Sequence, residues 1–169
     1  MTSEGKTTGG IVKPAVLLFT ALAILVADQL SKGFVVAAVA LGERIRVVGD
    51  LVQVWHVQNR GAAFSLLQGG SVLFVVVSVL SLGMVGYFHR SLRQRGLWVH
   101  LVLGVILGGT LGNFVDRLRQ GYVTDWLSVG SGDLRWPTFN VADSSIVVGI
   151  GILVIYLLLR NPDRAEAPA

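Results

Sequence analysis

Residues 141–159 read VADSSIVVGIGILVIYLLL, a run that opens on Asp143, Ser144 and Ser145 and then carries no polar interruption up to Arg160. A helix rises about 1.5 Å per residue, so crossing a hydrocarbon core of ~30 Å takes ~20 mostly apolar residues. This run meets that length, and three others do as well: Ala15–Leu41, Leu66–Phe88 and Leu97–Val115. The first of them is broken by Asp28, Gln29, Ser31 and Lys32. Any count below four leaves one of these runs in water. The expected fold is an all-α membrane protein, four transmembrane helices with a small external antiparallel β-sheet. It forms one integral membrane domain over residues 1–169, with spans at about 15–41, 66–88, 97–115 and 141–159 and external loops at 42–65 and 116–140.

Composition agrees. Of 169 residues, 53% are hydrophobic and only 14% are charged, and the mean hydropathy is +0.68. A soluble domain carries about a quarter charged residues, so this apolar excess is too large for one soluble core to hide. The same numbers exclude a disordered chain. With no cysteine, disulfides, thiol nucleophiles, thiolate metal sites and iron–sulfur clusters are excluded together. A net charge of +4 in a soluble protein would suggest nucleic acid. Here the basic residues flank the apolar runs, so the bilayer accounts for them and no nucleic-acid partner is expected. Lys6, Lys13 and the apolar segment 15–27 resemble a secretory leader, but apolar character resumes at Gly33, so the first helix reads as retained.

Lysine and arginine set the orientation. The short link between the second and third runs holds Arg90, Arg93 and Arg95 with no acid. The two longer loops mix Arg44, Arg46, Arg60, Arg117, Arg119 and Arg135 with Glu43, Asp50, Asp116, Asp125 and Asp133. Both termini are therefore expected in the cytoplasm and the longer loops outside. Ile45–Val48 and Leu51–Val57 flank Gly49-Asp50, and Val123–Leu127 and Leu134–Trp136 flank residues 130–133, which reads as two hairpins. Lipid cannot satisfy strand backbones, so these belong in a sheet on the outer membrane surface.

The costly residues gather at that face. Counted from Ala15, Asp28 lies about 20 Å along the first helix, and Asp143 lies about 24 Å from the cytoplasmic end of the fourth. Asn113, Asp116 and Arg117 fall at the outer end of the third run, and Asn59 and Asp125 in the external loops. Each admits two readings. Asp28 and Lys32, spaced i, i+4, either pair to orient a helix or serve catalysis. Asn59 caps a turn or lines a site. Arg117 snorkels or belongs to the site, and Asp116 with it can anchor the sheet. Gly104, Gly108 and Gly112 recur every four residues as a packing stripe. Asp143 caps a helix and Asp125 decorates a hairpin, or the two meet. Unpaired acids beside lipid take raised pKa values, and two brought together share a proton, which acid–base work on water requires. A Ser–Lys dyad lacks a marked serine, and no His-Glu-x-x-His, P-loop or dinucleotide motif is present. A different class, a proton-coupled membrane transporter using the acids as a relay, or a non-enzymatic membrane assembly protein, stays open at this level.

In order along the chain stand Asp28-Gln29-x-x-Lys32, Asn59-x-Gly61-Ala62-Ala63-Phe64-Ser65, Gly108-Gly109-x-x-Gly112-Asn113-x-x-Asp116-Arg117, Val123-x-Asp125 and Phe139-Asn140-x-Ala142-Asp143. Five such blocks in register resemble the lipoprotein signal peptidases, or signal peptidase II, from about Ala15 to Leu159. The resemblance implies an aspartic endopeptidase of the bacterial inner membrane that works from the outer face. It would cleave diacylglyceryl-modified prolipoproteins just before the lipidated cysteine, without metal or organic cofactor. Asp125 and Asp143 would be the catalytic pair acting on a shared water. Asn59, Gly61, Asn113, Asp116, Arg117 and Asn140 would surround them, with Asp28 and Lys32 in support. Partners so implied are prolipoprotein substrates, membrane lipids and the cyclic-peptide inhibitor globomycin. Arg60, and Trp126 where phenylalanine is frequent, depart from the commonest pattern.

Overall fold

A computed structural model describes residues 8–61 and 70–159. Ala62, Ala63, Phe64 and Ser65 of the second motif, and the first residues of the second apolar run, lie outside the described residues. The order is α1 (Thr8–Ala38), β1 (Arg44–Val48), β2 (Val52–Asn59), α2 (Gly70–Ser91), α3 (Leu97–Gln120), β3 (Val123–Ser131), β4 (Leu134–Arg135) and α4 (Val141–Leu159). The chain is helix-rich with one small antiparallel sheet. Val12–Ala38, Leu97–Gln120 and Val141–Leu159 are each long and apolar enough to cross a membrane.

Local chemistry sets the boundaries. α1 starts at Thr8, ahead of the apolar run, and carries Pro14 within it. It stops at Ala38, short of Leu41: the Glu43 carboxylate accepts the Ala40 N–H at 2.9 Å, and Gly42, at φ 84°, turns the chain towards β1. α3 continues past Val115 to Gln120, so Asp116 and Arg117 are helical rather than part of a loop. Its end is fixed by Gly121, which takes φ 75° and donates its N–H to the Arg117 carbonyl, a left-handed cap that glycine accepts without steric cost.

α3 is the central helix and packs against α1, α2 and α4. Its glycines make this possible. A Cβ on Gly104 would lie 2.6 Å from the Leu17 carbonyl oxygen, and one on Gly108 would lie 2.5 Å from that of Ala21. The expected stripe therefore faces α1. Gly109, one position round the helix, meets α4 at the Ala142 carbonyl. Between lipid-like surfaces such close approach supplies the dispersion contacts that hold helices together. Leu17, Val85, Leu92, Val99, Leu103, Ile106 and Leu153 fill the core. Phe19, Leu30, Phe34, Val147 and Leu158 stand exposed on α1 and α4, a belt of large apolar side chains of the kind that marks a membrane surface.

Both expected hairpins are present, and they join into one sheet of order β1-β2-β3-β4. β3 extends to Ser131 because β2 pairs with it as far as Val129, Val52 opposite Val129 and Val57 opposite Asp125, and β4 pairs with its last two residues, Gly130 opposite Arg135 and Ser131 opposite Leu134. Asn59 pairs with Val123, so Asn59 and Asp125 lie diagonally on one face of adjacent strands. Phe139 then bonds with Trp126 and Leu127 through its backbone and leads the chain into α4. Arg135 binds Asp50 across the two hairpin turns.

Candidate active site

The first turn of α4 organises the site. Asn140 precedes the helix and Asp143 is its third residue. The Asn140 side-chain oxygen accepts the Asp143 N–H at 2.9 Å, and Asp143 Oδ2 accepts the Asn140 N–H at 3.2 Å. This reciprocal pair has the logic of a capping box, satisfying helix donors that have no partner of their own. The next orphan donor, Ala142 N–H, is taken by Asp28 Oδ1 at 2.9 Å. Asp143 is thus a helix cap whose orientation is locked, and its other oxygen, Oδ1, accepts Asn113 Nδ2 at 2.7 Å.

Asp125 is held the same way from the sheet. Asn140 Nδ2 donates to its Oδ1 at 2.7 Å and Asn59 Nδ2 to its Oδ2 at 2.9 Å. Asn59 is aimed by its own turn: its side-chain oxygen accepts the Gly61 N–H at 2.9 Å, and Gly61 sits at φ 78°, a conformation natural only to glycine. Asn140 therefore touches both acids. Burial pushes the Asp125 carboxyl up to about 6, and the charge of Asp143 adds to the rise. The two asparagine hydrogen bonds and the Lys32 charge oppose it.

Behind this pair lies a buried ion cluster. Lys32 Nζ sits 2.7 Å from Asp28 Oδ2 and 2.9 Å from Asp116 Oδ2, and it donates to Asn113 Oδ1 at 3.0 Å. An ammonium only donates, so the Asn113 carbonyl must face Lys32 and its amide is left for Asp143. Asn140 Nδ2 also reaches Asn113 Oδ1 at 3.2 Å. Arg117 stands one turn beyond Asn113, donates to its carbonyl at 3.4 Å, and its charge acts on Asp143, Asp125 and Asp116. The structure thus brings together Asp125, Asp143, Asn59, Asn113 and Asn140, with Asp28, Lys32 and Asp116 one layer behind and Gly61 shaping a turn. Arg60 is over the Tyr122 ring at 5.7 Å, and the buried Trp126 indole N–H finds no partner among the described residues.

Sequence reasoning gave no role to Gln29, whose amide donates to Asp116 Oδ1 at 2.9 Å and to the Gly112 carbonyl at 3.3 Å. A polar residue next to Asp28 inside an apolar run was the available signal. Thr124 was also missed; its N–H donates to Asp116 Oδ2 at 3.3 Å and its carbonyl accepts from Asn140. Gly112 completes the packing: a Cβ there would stand 2.5 Å from Asp28 Oδ2. Chemically, two carboxylates tied to one residue, Asp125 by its side chain and Asp143 by its backbone, and backed by fixed dipoles can share a proton and poise a water between them.

Residues 20–159 match the family model described as signal peptidase (SPase) II. A lipoprotein signal peptidase of Halothermothrix orenii is 41% identical over 137 residues, covering 80% of this chain and 90% of that protein. One from Geobacter sulfurreducens is 37% identical over 162 residues, covering 93% of this chain and the whole of that protein. One from Streptococcus pyogenes is 42% identical over 142 residues, covering 83% and 92%. A solved structure described as a bacterial membrane enzyme superposes with a TM-score of 0.79 at 27% identity, covering 87% of this chain and 95% of that one.

Proposed function

The chain belongs to the signal peptidase II family, proteases that remove signal peptides from lipoproteins, and we propose that it acts as an aspartic endopeptidase with Asp125 and Asp143 as its catalytic pair. The observation that carries this reading is Asn140, which donates from its side chain to Asp125 at 2.7 Å and from its backbone to Asp143 at 3.2 Å. One residue thereby registers a sheet-borne acid against a helix-borne acid.

In the proposed reaction, the pair holds a single proton and a water. The ionised carboxylate takes a proton from the water as its oxygen attacks the scissile carbonyl carbon. The protonated partner hydrogen-bonds the carbonyl oxygen and stabilises the charge that develops there. The carbon–nitrogen bond then breaks as the leaving amine receives a proton from the pair. No covalent intermediate and no cofactor take part. The pair titrates as a unit, so the starting proton belongs to both acids together. Lys32 serves at a distance: by fixing the Asn113 amide it keeps a donor on Asp143.

The substrate of this reading is a diacylglyceryl-modified prolipoprotein, cut just before the lipidated cysteine. All four helices cross the bacterial inner membrane with both termini in the cytoplasm, and the acids lie at the outer face. Two features support that arrangement. The ion cluster gathers where α1 and α3 end and α4 begins, whereas the far ends of α2 and α3 hold apolar core residues and the His89–His100 ring pair, with no carboxylate. Lys13 near the start of α1 bonds the Arg93 carbonyl in the arginine-rich link at that far end. A relay for proton transport would need polar groups along the whole depth. Membrane lipids surround the exposed helix faces, and globomycin-type cyclic peptides would compete for the same site. The test is cleavage by the purified protein in detergent. A diacylglyceryl precursor is expected to release a peptide ending one residue before the cysteine, while the unlipidated precursor stays intact. Equal cleavage of both precursors, or a cut elsewhere, would overturn the substrate assignment.

A further inference from the structure

We propose that the groove between the β3–β4 hairpin and the outer end of α4 is the subsite for the acyl chains of the substrate's diacylglyceryl group. The inference rests on the catalytic reading above and adds the residues that read the lipid. The groove has a volume of about 530 Å³, and its walls include Val129, Trp136, Phe139, Val147 and Val148, with Asp143 at its head. That volume lies in the range of small-molecule sites.

Three observations select this occupant. First, the lipid hangs from the cysteine immediately after the scissile bond, so its subsite must begin beside a catalytic carboxylate, and this groove begins at Asp143. Second, the groove opens sideways: Trp136 and Val147 are 72% and 71% exposed, so chains can slide in from a surrounding leaflet without leaving an apolar medium. Third, the path continues. Asp143, Val147 and Gly151 follow at four-residue steps on one face of α4, and a Cβ on Gly151 would meet nothing within 4 Å. A chain leaving the cysteine at Asp143 therefore has a clear track down the helix.

A larger-walled alternative lies on the other side of α4, a furrow of about 470 Å³ bounded by Met84, Phe88, Ile106, Ile150 and Leu157. It contains neither acid, and its uppermost members, Thr110 and Ile146, sit one turn inside Asn113 and Asp143. Because lipid tails are as apolar as the groove, the subsite contributes placement of the scissile bond more than affinity.

The experiment compares cleavage of two synthetic precursors whose diacylglyceryl groups carry palmitoyl or butyryl chains. Variants Val147→Trp and Gly151→Trp obstruct the track at one and two turns from Asp143, and Met84→Trp obstructs the furrow. The ratio of kcat/KM for the long-chain over the short-chain precursor is expected to fall about tenfold or more in the two α4 variants, the scale on which an apolar pocket reads chain length. It is expected to hold in Met84→Trp. An unchanged ratio in both α4 variants, a uniform loss on both precursors in both, or a fall confined to Met84→Trp overturns the assignment. Failure of the catalytic reading would look different, as retained cleavage in Asp143→Asn whatever the chain length.

Discussion

Lys32→Met removes one charge and keeps the length and most of the volume of the side chain. In the native protein that ammonium stands between Asp28 and Asp116, at 2.7 and 2.9 Å, with side-chain exposures of 5% for the lysine against 0% and 6% for the acids. Without it, two buried carboxylates face each other with no cation between them. Breaking a buried pair by removing one partner costs about 3–5 kcal/mol, because the remaining charge is left uncompensated. Donors remain for both acids, Ala142 N–H and the Gln29 amide on Asp28, the Gln29 amide and Thr124 N–H on Asp116. They place the expected loss at the lower end, about 3 kcal/mol. Reversible unfolding in mixed micelles, followed by helical circular dichroism, measures it. The triple variant Lys32→Met, Asp28→Asn, Asp116→Asn should regain most of the stability, since neutral replacement of a buried ion set is often nearly free. Activity should not return in full with it, because the Asn113 side-chain oxygen has lost its charged donor and keeps only the Asn140 amide at 3.2 Å to fix its direction. A single variant within about 0.5 kcal/mol of the parent, or a triple variant with full activity, would refute the reasoning.

Asp125 supplies a pH test. Its folded-state pKa is raised from 3.8 to about 6, so the folded protein binds that proton more tightly than the unfolded chain does. The stability so contributed is fully present below pH about 4 and is lost as pH rises through about 6. Relative to Asp125→Asn, the parent should lose on the order of 3 kcal/mol between pH 4 and 7, and parallel stability curves would contradict this. Asn140→Ala removes the side-chain donor on Asp125 Oδ1 and the acceptor of the Asp143 N–H, while the backbone N–H on Asp143 stays. It should lower kcat by about 10²–10³, the usual cost of one preorganised donor, and a change below threefold in single-turnover cleavage would argue that Asn140 only caps α4. Gly112→Ala brings a methyl group 2.5 Å from Asp28 Oδ2. It should cost about 1–3 kcal/mol by overpacking, read from the same micelle unfolding, whereas Gly151→Ala, with open space around it, should cost nothing.

How much of this was legible in the residue order follows from the range of the forces involved. The apolar runs of α1, α3 and α4 were readable because length and composition alone satisfy the bilayer. The four-residue glycine stripe foretold a close helix contact, and α1 lies against it. The two hairpins were visible in their turn residues and were expected in one small sheet, but that β2 and β3 are the strands that join them was not visible: alternation marks a strand and leaves its partner unspecified. The continuation of α3 to Gln120 was signalled by Gly121, a left-handed cap that apolar counting overlooks. For Asp143, helix capping and a place beside Asp125 had been opposed readings. The structure makes them one device, since the cap is what aims the carboxylate. The role of Gln29 was hidden because its three acceptors come from two helices, and the direction of the Asn113 amide emerges only once Lys32 is seen to face it.

The most direct measurement is the rate of signal-peptide release from a diacylglyceryl prolipoprotein by Asp125→Asn and Asp143→Asn, each purified in the same detergent and verified as folded. Both variants should fall to background while keeping the helical content of the parent. Cleavage near the parental rate by either one would mean that the two carboxylates do not form the reacting centre.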